Sequence, residues 1–355
     1  MKKPFLFLTL CFFCTFSFAQ FVISGKVVDA DTKEPLQGAS VFAQNTTKGT
    51  ITGSNGTFHL SLDKGGYEII FSFTGYNTKT VNAQSENEQM SVELSKADNS
   101  MSEVIIKSSN EVEDGWEKYG DFFLKHFIGA TPLSDSCILQ NPQALKFLYF
   151  KRNDRLKILA SEPLQIANKS LGYNLRYELD SFVYFFKTDM SNYRGRCLYT
   201  EMDGTAEQQQ QWKQNRKQAY LGSRLHFLRS YYDSTLQQEG FTVDLPSKTG
   251  EGKYERLANP YDSAYYYYSD STNDAELWLP AKTSITYYKK PEKEFLQQYK
   301  LPLNATVQIT YVDLLDGILI KPNGYFFDQK SWINQGYWSW KNLADQLPYD
   351  YDPDK

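Results

Sequence analysis

The chain has 355 residues and a formal net charge of −4 at pH 7, from 38 Lys and Arg residues against 42 Asp and Glu residues. This acidic balance argues against a nucleic-acid partner, because phosphate recognition needs an excess of basic side chains. The length is sufficient for two domains, each with its own hydrophobic core.

The N-terminus has the layout of a cleaved secretory signal. Lys2 and Lys3 precede an apolar run over residues 5–18, and the segment Ser17-Phe18-Ala19 stands before Gln20. The run is too short to span a membrane as a helix. We therefore expect residues 1–19 to be removed and the protein to be exported through the inner membrane, into the periplasm or to the outer membrane.

The rest of the chain has no apolar run long enough for a transmembrane helix, so only peripheral contact with a membrane is expected. Cys11 and Cys14 lie in the predicted signal, which leaves Cys137 and Cys197 in the exported protein. The compartment permits disulfides, so these two residues are either bridged or present as two buried thiols. The sequence leaves both alternatives open.

Short apolar runs alternate with turn residues between Gly25 and Gly75, the pattern of a small antiparallel β-sandwich. The pair Asn55-Gly56 lies between two such runs and tolerates positive φ, so a tight hairpin is predicted there. Asp29 can cap the turn that follows it through its own side chain.

Four ordered motifs in this region resemble the carboxypeptidase regulatory-like domain, a transthyretin-like β-sandwich. They are Gly25-x-Val27-x-Asp29, Pro35-Leu36-x-Gly38-Ala39-x-Val41, Thr52-x-x-x-Gly56-x-Phe58 and Tyr67…Phe71…Gly75-Tyr76. The resemblance places this domain at residues 20–108. It implies an accessory module, without catalytic residues, of the kind found in envelope proteins and outer-membrane receptors of Gram-negative bacteria.

A helix is predicted after the sandwich. Asp114 and Glu117 have the spacing of a capping box, and aromatic residues follow at helical spacing up to Gly129. We expect an amphipathic helix docked on the core of a second domain, with a partner-binding helix as the alternative.

The remaining sequence mixes strands and helices. Residues 145–200 alternate like strands, two helical segments are predicted at 207–221 and 224–238, and strand-like segments return after Phe241. Residues 109–355 are therefore predicted to form one α+β domain, and the whole protein is expected to be mainly β.

Parts of this region resemble the C-terminal region that accompanies the sandwich in uncharacterised envelope proteins. The motifs are Cys137-Ile138-Leu139-x-Asn141-Pro142, Asn168-x-x-Leu171-Gly172-Tyr173 and Tyr220-x-Gly222-Ser223 with His226-Phe227-Leu228-Arg229-Ser230. This resemblance implies a recurring two-part architecture and no particular activity.

The sequence offers no catalytic constellation. His59, His126 and His226 each lack the neighbouring glutamate that a zinc peptidase needs. The sequence also contains no nucleophile elbow, phosphate-binding loop or dinucleotide fingerprint. We predict no catalytic residue, no metal site and no cofactor, and the chain is not expected to be an enzyme.

One helix carries a candidate anion-binding face. Arg224, His226 and Arg229 lie within two turns of the segment predicted at 224–238. The alternative is a helix packed through its leucines, with the basic residues paired to acids elsewhere.

The chain ends in an acidic stretch with Asp350, Asp352 and Asp354. The stretch lacks the loop frame that makes oxygen ligands converge on calcium, so a solvated acidic tail is expected.

The sequence favours a non-catalytic envelope protein that acts in binding or scaffolding. The abundance of aromatic residues, with 26 Tyr and 24 Phe, suits an envelope protein or a glycan as the partner. Two alternatives remain: a hydrolase of envelope glycans or peptides with its site in the C-terminal domain, or an accessory of an outer-membrane receptor.

Overall fold

The structure of the protein, a computed structural model, describes residues 21–63, 65–83, 89–97, 110–248, 250, 252–327 and 329–355. Within these residues the protein is mainly β, which confirms the predicted fold class. The predicted signal at residues 1–19 and the predicted domain junction at residues 108–109 lie outside the described residues.

An N-terminal β-sandwich consists of two sheets with strand orders β4-β1-β7 and β3-β2-β5-β6. Only the β1–β7 pair is parallel among the pairs described in this sandwich. On β4 and β7 every second side chain is buried, as the alternating sequence predicts. The strands are β1 (Phe21–Asp29), β2 (Ser40–Ala43), β3 (Gly49–Ile51), β4 (Thr57–Leu62), β5 (Glu68–Ser72), β6 (Lys79–Asn82) and β7 (Gln89–Leu94).

The predicted turn at Asn55-Gly56 is present, but it does not close a hairpin. The strands on either side of it, β3 and β4, belong to different sheets. The chain therefore crosses from one layer of the sandwich to the other at this turn. Gly56 has φ +76°, and a Cβ atom there would lie 2.6 Å from the carbonyl oxygen of Val27. The close approach to β1 thus requires glycine.

Asp29 caps the turn after β1, as predicted. Its Oδ1 atom accepts backbone N–H groups from Asp31 at 2.8 Å and Thr32 at 2.9 Å. Its Oδ2 atom accepts the Tyr76 hydroxyl at 2.6 Å. The Tyr76 hydrogen bond is the main cause that lowers the pKa of Asp29 to about 2, with the backbone donors adding to it.

This shift predicts how the stability of the sandwich depends on pH. The folded pKa lies below the ordinary aspartate value of about 3.9, so the stabilisation is present above pH 4 and is lost as pH falls towards 2. We expect Asp29→Asn to lower the melting temperature at pH 6, and the difference from the wild type to shrink between pH 4 and pH 2. Thermal melts of both proteins between pH 2 and pH 6 measure this difference in melting temperature. A difference that is the same at all pH values would contradict the assignment.

A six-stranded sheet follows the sandwich. Its long strand β12 pairs with β13 along one edge, and with β11 and then β10 along the other. β9 and β8 complete the two outer positions. The strands are β8 (Cys137–Leu139), β9 (Leu145–Phe150), β10 (Arg155–Ala160), β11 (Leu164–Asn168), β12 (Tyr173–Phe185) and β13 (Met190–Glu201).

Helix α1 (Gly115–Phe127) packs on this sheet, as the docked-helix prediction states. Phe123 and Phe127 are fully buried in its core. The predicted capping box is wrong, because the Asp114 side chain makes no cap hydrogen bond. The backbone of Asp114 lies outside the extended region that aims a cap at the helix, and its carboxylate instead lies 3.6 Å from Lys118 Nζ.

The C-terminal part contains two further sheets, with orders β15-β14-β18-β19-β21 and β16-β17-β20. The strands are β14 (Phe241–Pro246), β15 (Tyr254–Arg256), β16 (Tyr266–Ser269), β17 (Asp274–Leu277), β18 (Thr283–Tyr287), β19 (Gln308–Leu314), β20 (Ile318–Ile320) and β21 (Trp332–Gly336). The helices are α2 (Ala206–Tyr220), α3 (Arg224–Tyr232), α4 (Lys293–Gln298) and α5 (Tyr337–Trp340). Helix α3 ends earlier than predicted, before Ser234 at φ +57°.

Buried apolar side chains form three clusters in the described chain. The sandwich core includes Ile23 and Phe71, the middle core includes Phe123 and Phe182, and the C-terminal core includes Trp338. Two clusters thus share the region that the sequence analysis assigns to one α+β domain.

Residues Leu343–Asp352, here called the C-terminal segment, contact all three parts. Its Ala344 N–H donates to the Ile128 carbonyl at 2.9 Å, in the middle part. Its Tyr349 N–H donates to the Asn45 carbonyl at 2.8 Å, in the sandwich. Arg229 of helix α3 donates to the Tyr349 carbonyl at 3.0 Å. The C-terminal segment is therefore hydrogen-bonded to all three parts of the protein.

The prediction of a solvated acidic tail is wrong for Asp350, and the segment contains a further acidic residue, Asp345, that the prediction did not consider. Asp350 accepts the Thr47 backbone N–H at 2.9 Å, and Asp345 is buried and accepts the Thr131 hydroxyl at 2.7 Å. Both carboxylates are thus used in tertiary contacts. Burial raises the pKa of Asp345, and Lys341 opposes that shift from 3.6 Å.

Candidate binding cleft

A cleft of about 1180 Å³ opens where the three parts meet. The sandwich contributes Asn45, β13 contributes residues 190–196, and the start of helix α3 contributes Arg224. Trp332 on β21 and residues 345–347 of the C-terminal segment complete the lining. A concave site between structural units is a usual setting for a binding site.

Four basic side chains line the cleft, and two of them are already paired. Arg196 Nη1 lies 2.7 Å from Asp180 Oδ1. Lys341 Nζ lies 3.3 Å from Glu292 Oε1 and 3.6 Å from Asp345 Oδ1. The acidic lining residues Asp180 and Asp345 are therefore neutralised by these cations, and Glu68 of the sandwich is the third acidic residue of the lining.

Arg194 and Arg224 are the two remaining cations, and neither has an ion-pair partner within the part of the chain that the structure describes. Arg194 is exposed on β13, and Arg224 is half-buried with its guanidinium 5.4 Å from the ring centre of Phe326. Burial raises the pKa values of Tyr193 and Tyr349, and Arg224 opposes both shifts. Each of two walls of the cleft thus has a cation without an ion-pair partner among the described residues, while the carboxylate of Glu68 belongs to the sandwich wall.

Trp332 adds an unused hydrogen-bond donor to the cleft. Its side chain is only 7% exposed, and its Nε1 atom is buried without a hydrogen-bond partner among the described residues. The neighbouring Trp338 Nε1, by contrast, donates to the Gly222 carbonyl at 2.7 Å. A buried N–H group without a partner is costly, which suits a site that a ligand acceptor completes.

The outer edge of β13 is only partly covered. Asn45 N–H donates to the Cys197 carbonyl at 2.7 Å, and Tyr199 N–H donates to the Thr46 carbonyl at 2.9 Å, so a sandwich segment pairs with the second half of the strand. No such hydrogen bond reaches residues 191–195 from any residue described here. The first half of β13 is therefore an open strand edge inside the cleft.

The predicted anion-binding face does not form. Successive helical residues turn by about 100°, which places Arg224 about 200° from His226 and about 140° from Arg229. Arg224 faces the cleft, whereas Arg229 donates to the carbonyls of Asn323, Tyr349 and Tyr351 at 2.9–3.1 Å. The alternative of a packed helix describes these residues better, although Arg229 pairs with carbonyl groups and not with acids.

His226 has a structural position. Its Nδ1 atom accepts the Gly222 N–H at 3.1 Å, so the proton of the neutral ring lies on Nε2, which is 3.0 Å from Glu239 Oε2. Burial lowers the pKa of His226 and keeps the ring neutral at pH 7, while Glu239 opposes the shift. The ring fixes Gly222, whose φ is +81°.

The two cysteines are buried free thiols in the structure. Cys137 lies on β8 and Cys197 on β13, and strands β11 and β12 lie between them in the sheet. Neighbouring strands are about 4.8 Å apart, so three spacings exceed the Cα separation of about 7 Å that a disulfide tolerates. The sequence left open either a disulfide or two buried thiols, and the structure contains two buried thiols.

Both thiols are expected to resist alkylation in the folded protein at pH 8. Burial raises the pKa of Cys137 to about 12, and burial raises the pKa of Cys197 as well, so little reactive thiolate is present. Iodoacetamide labelling followed by peptide mass spectrometry measures this, with labelling in guanidinium chloride as the control that exposes both residues. Absence of labelling after unfolding would show that a disulfide is present.

Among the described residues, no group of three or more His, Cys, Asp or Glu side chains is placed to hold a metal ion. In the same part of the chain, no α-helix has the length and apolar character that a membrane crossing requires. Sequence reasoning found Arg224 but missed Arg194 and Trp332, whose sequence surroundings are those of ordinary strands.

Comparison with known proteins identifies the N-terminal module. Residues 23–106 match the family model of the CarboxypepD_reg-like domain, which confirms the resemblance seen in the sequence motifs. The TonB-dependent receptor SusC of Bacteroides thetaiotaomicron is 34% identical over 97 residues, which are 27% of this chain and 9% of the receptor. The chain thus corresponds to about a tenth of the length of that relative.

Similarity to solved structures is limited. The pilus 2b backbone protein of group B streptococcus has 21% identity over 23% of this chain and 43% of its own, with a TM-score of 0.19. A membrane-associated protein of unknown function from Bacteroides fragilis has 13% identity over 45% of this chain and 65% of its own, with a TM-score of 0.18. With TM-scores this low, neither structure indicates a function for this chain.

Proposed function

We propose that this chain, with its CarboxypepD_reg-like domain at residues 23–106, is a non-catalytic binding protein of the Gram-negative cell envelope that holds its partner in the cleft. The similarity of the module to part of a TonB-dependent receptor supports an accessory role in the envelope. The predicted export signal at residues 1–19 supports the same location.

The observation that carries the proposal is the way the sandwich is built into the cleft. Gly66 N–H donates to Asn323 Oδ1, and Asn323 Nδ2 donates to the Gly66 carbonyl, both at 3.2 Å. The pairing of Asn45 and Thr46 with β13 adds a second attachment. The accessory module is thus a fixed wall of a preformed site, and a preformed site loses less entropy when it binds.

Site-specific photocrosslinking in the native host tests this function. A photoreactive residue at Asn192, which lines the cleft, is expected to capture one defined envelope component. The control position is His59, an exposed residue of β4 outside the cleft. Capture at neither position, or the same products from both, would overturn the proposal.

Two further measurements address location and catalysis. The mature protein is expected in the envelope fractions with Gln20 as its first residue, and recovery only from the cytoplasm would contradict the proposed location. The captured component is expected to keep its mass after incubation with purified protein. Cleavage of that component would favour the hydrolase alternative.

A further inference from the structure

We propose that the cleft binds an extended acidic peptide segment of a partner protein, which adds as a strand to the open edge of β13. The inference rests on the proposed function, because it names the chemistry of the partner that the same cleft would hold. Three features of the cleft support it: the open edge of β13, the charge of the nearby side chains, and the exposed apolar side chains at one end of the edge.

The backbone of β13 has groups ready to pair. The Cys197 carbonyl and the Tyr199 N–H point away from β12, since both bond the sandwich segment. Backbone groups of a strand alternate with a period of two, so those of Tyr193 and Gly195 also point outward, into the cleft. An added peptide strand would satisfy them. The contact with Asn45 and Thr46 shows that this edge already accepts a neighbour further along.

The side chains around this edge favour negative charge on the peptide. Arg194 projects from the open strand itself, and Arg224 lies on the wall formed by helix α3. Both lack an acidic partner among the described residues, and the Trp332 N–H is an additional unused donor. All three groups are donors, so they complement carboxylates and not basic side chains.

Apolar side chains lie at the other end of the same edge. Phe185 is 39% exposed and Met190 is 52% exposed, and both line the cleft where β12 turns into β13. A bound strand presents alternate side chains to opposite faces. The expected ligand therefore has acidic residues separated by apolar ones. A glycan could use the arginines but could not continue the backbone ladder.

Fluorescence anisotropy with the mature protein tests the inference. The probe is a labelled, end-capped seven-residue peptide of alternating glutamate and valine, expected to bind with a Kd below about 1 mM. Three controls are a lysine version, a version with N-methyl groups on alternate amides, and an acidic oligogalacturonide. The controls are expected to bind at least about tenfold more weakly, because each lacks either the charge or the backbone donors.

Charge reversal separates recognition from misfolding. The double variant Arg194→Glu with Arg224→Glu is expected to lose about 100-fold in affinity for the glutamate peptide and to gain affinity for the lysine peptide. Lys151→Glu with Arg152→Glu makes the same charge change at exposed positions outside the cleft and is expected to leave affinity unchanged. Melting curves confirm that the variants are folded.

The edge itself is tested with Ser191→Pro. Ser191 is exposed, and it lies two positions before Tyr193 on β13, so its N–H also points away from β12. Proline at this position therefore removes a hydrogen-bond donor from the open edge and leaves the pairing of β13 with β12 intact. We expect a loss of about tenfold in affinity for the glutamate peptide.

The outcomes distinguish the inference from the proposed function. If the glutamate peptide fails to bind, or the oligogalacturonide or the N-methylated peptide binds as well, the strand-addition inference is overturned. Capture of a glycan at Asn192 would have the same effect and leave the proposed function standing. Failure of both the peptide and the crosslinking would overturn both.

Discussion

Replacing Arg229 with alanine is expected to lower the free energy of unfolding by about 3 to 5 kcal/mol. Its guanidinium donates to three backbone carbonyls, those of Asn323, Tyr349 and Tyr351. Hydrogen bonds from a charged donor contribute about 1.5 to 3 kcal/mol each, and two of the three residues that supply the carbonyls, Asn323 and Tyr349, are buried. Denaturant unfolding followed by tryptophan fluorescence measures the loss.

Two matched variants identify the cause of that loss. Arg229→Lys keeps the charge, but a lysine ammonium lacks the planar set of donors that bonds three carbonyls at once. We therefore expect a loss of unfolding free energy that is smaller than that of Arg229→Ala. Arg152→Ala removes an exposed arginine and is expected to change stability by less than about 0.5 kcal/mol. If Arg229→Ala changed stability as little as Arg152→Ala, the role of Arg229 in holding the C-terminal segment would be refuted.

Gly25→Ala is the second change with a large expected effect. A Cβ atom at Gly25 would lie 2.0 Å from the carbonyl oxygen of Met90 and 2.9 Å from its carbonyl carbon. Both are backbone atoms of β7, so relief requires β1 and β7 to separate along their parallel pairing. We expect a loss of about 3 kcal/mol or more, beyond the usual range for overpacking by a flexible side chain.

Gly53→Ala is the matched control for this prediction. A Cβ atom there would lie 3.4 Å from Asn55 Oδ1, which is ordinary contact. Its effect on unfolding is therefore expected to be small. Equal stability of Gly25→Ala and the wild type would contradict the tight packing of β1 on β7.

The sandwich could be predicted from sequence because its signals are local. Alternating side chains, the Asn55-Gly56 turn and the Asp29 cap each depend on a few neighbouring residues. Which strands β3 and β4 pair with, on the two sides of that turn, depends on residues far away in the sequence. The same pattern that predicts a hairpin also fits a crossover between two sheets, and only packing against β1 decides between them.

The cleft was less accessible to sequence reasoning. A helical segment with three basic residues suggested one binding face, yet their angular spacing sends only Arg224 to the cleft. Arg194 becomes notable only because the edge of its strand stays open, and Trp332 only because its N–H finds no partner among the described residues. These properties arise where three hydrophobic cores meet, so no single stretch of sequence contains them.

We expect the contacts of the C-terminal segment with the sandwich to form late in folding. Thr47 and Asp350 are 303 positions apart in the chain, so their contact closes one of the longest loops in the fold. The sandwich strands need only residues up to Leu94, and they can assemble while later residues are still being delivered. A chain cut before Tyr349 is therefore expected to retain the accessory module and the β13 edge, while losing the contacts of Tyr349 and Asp350 that hold the C-terminal segment on the sandwich.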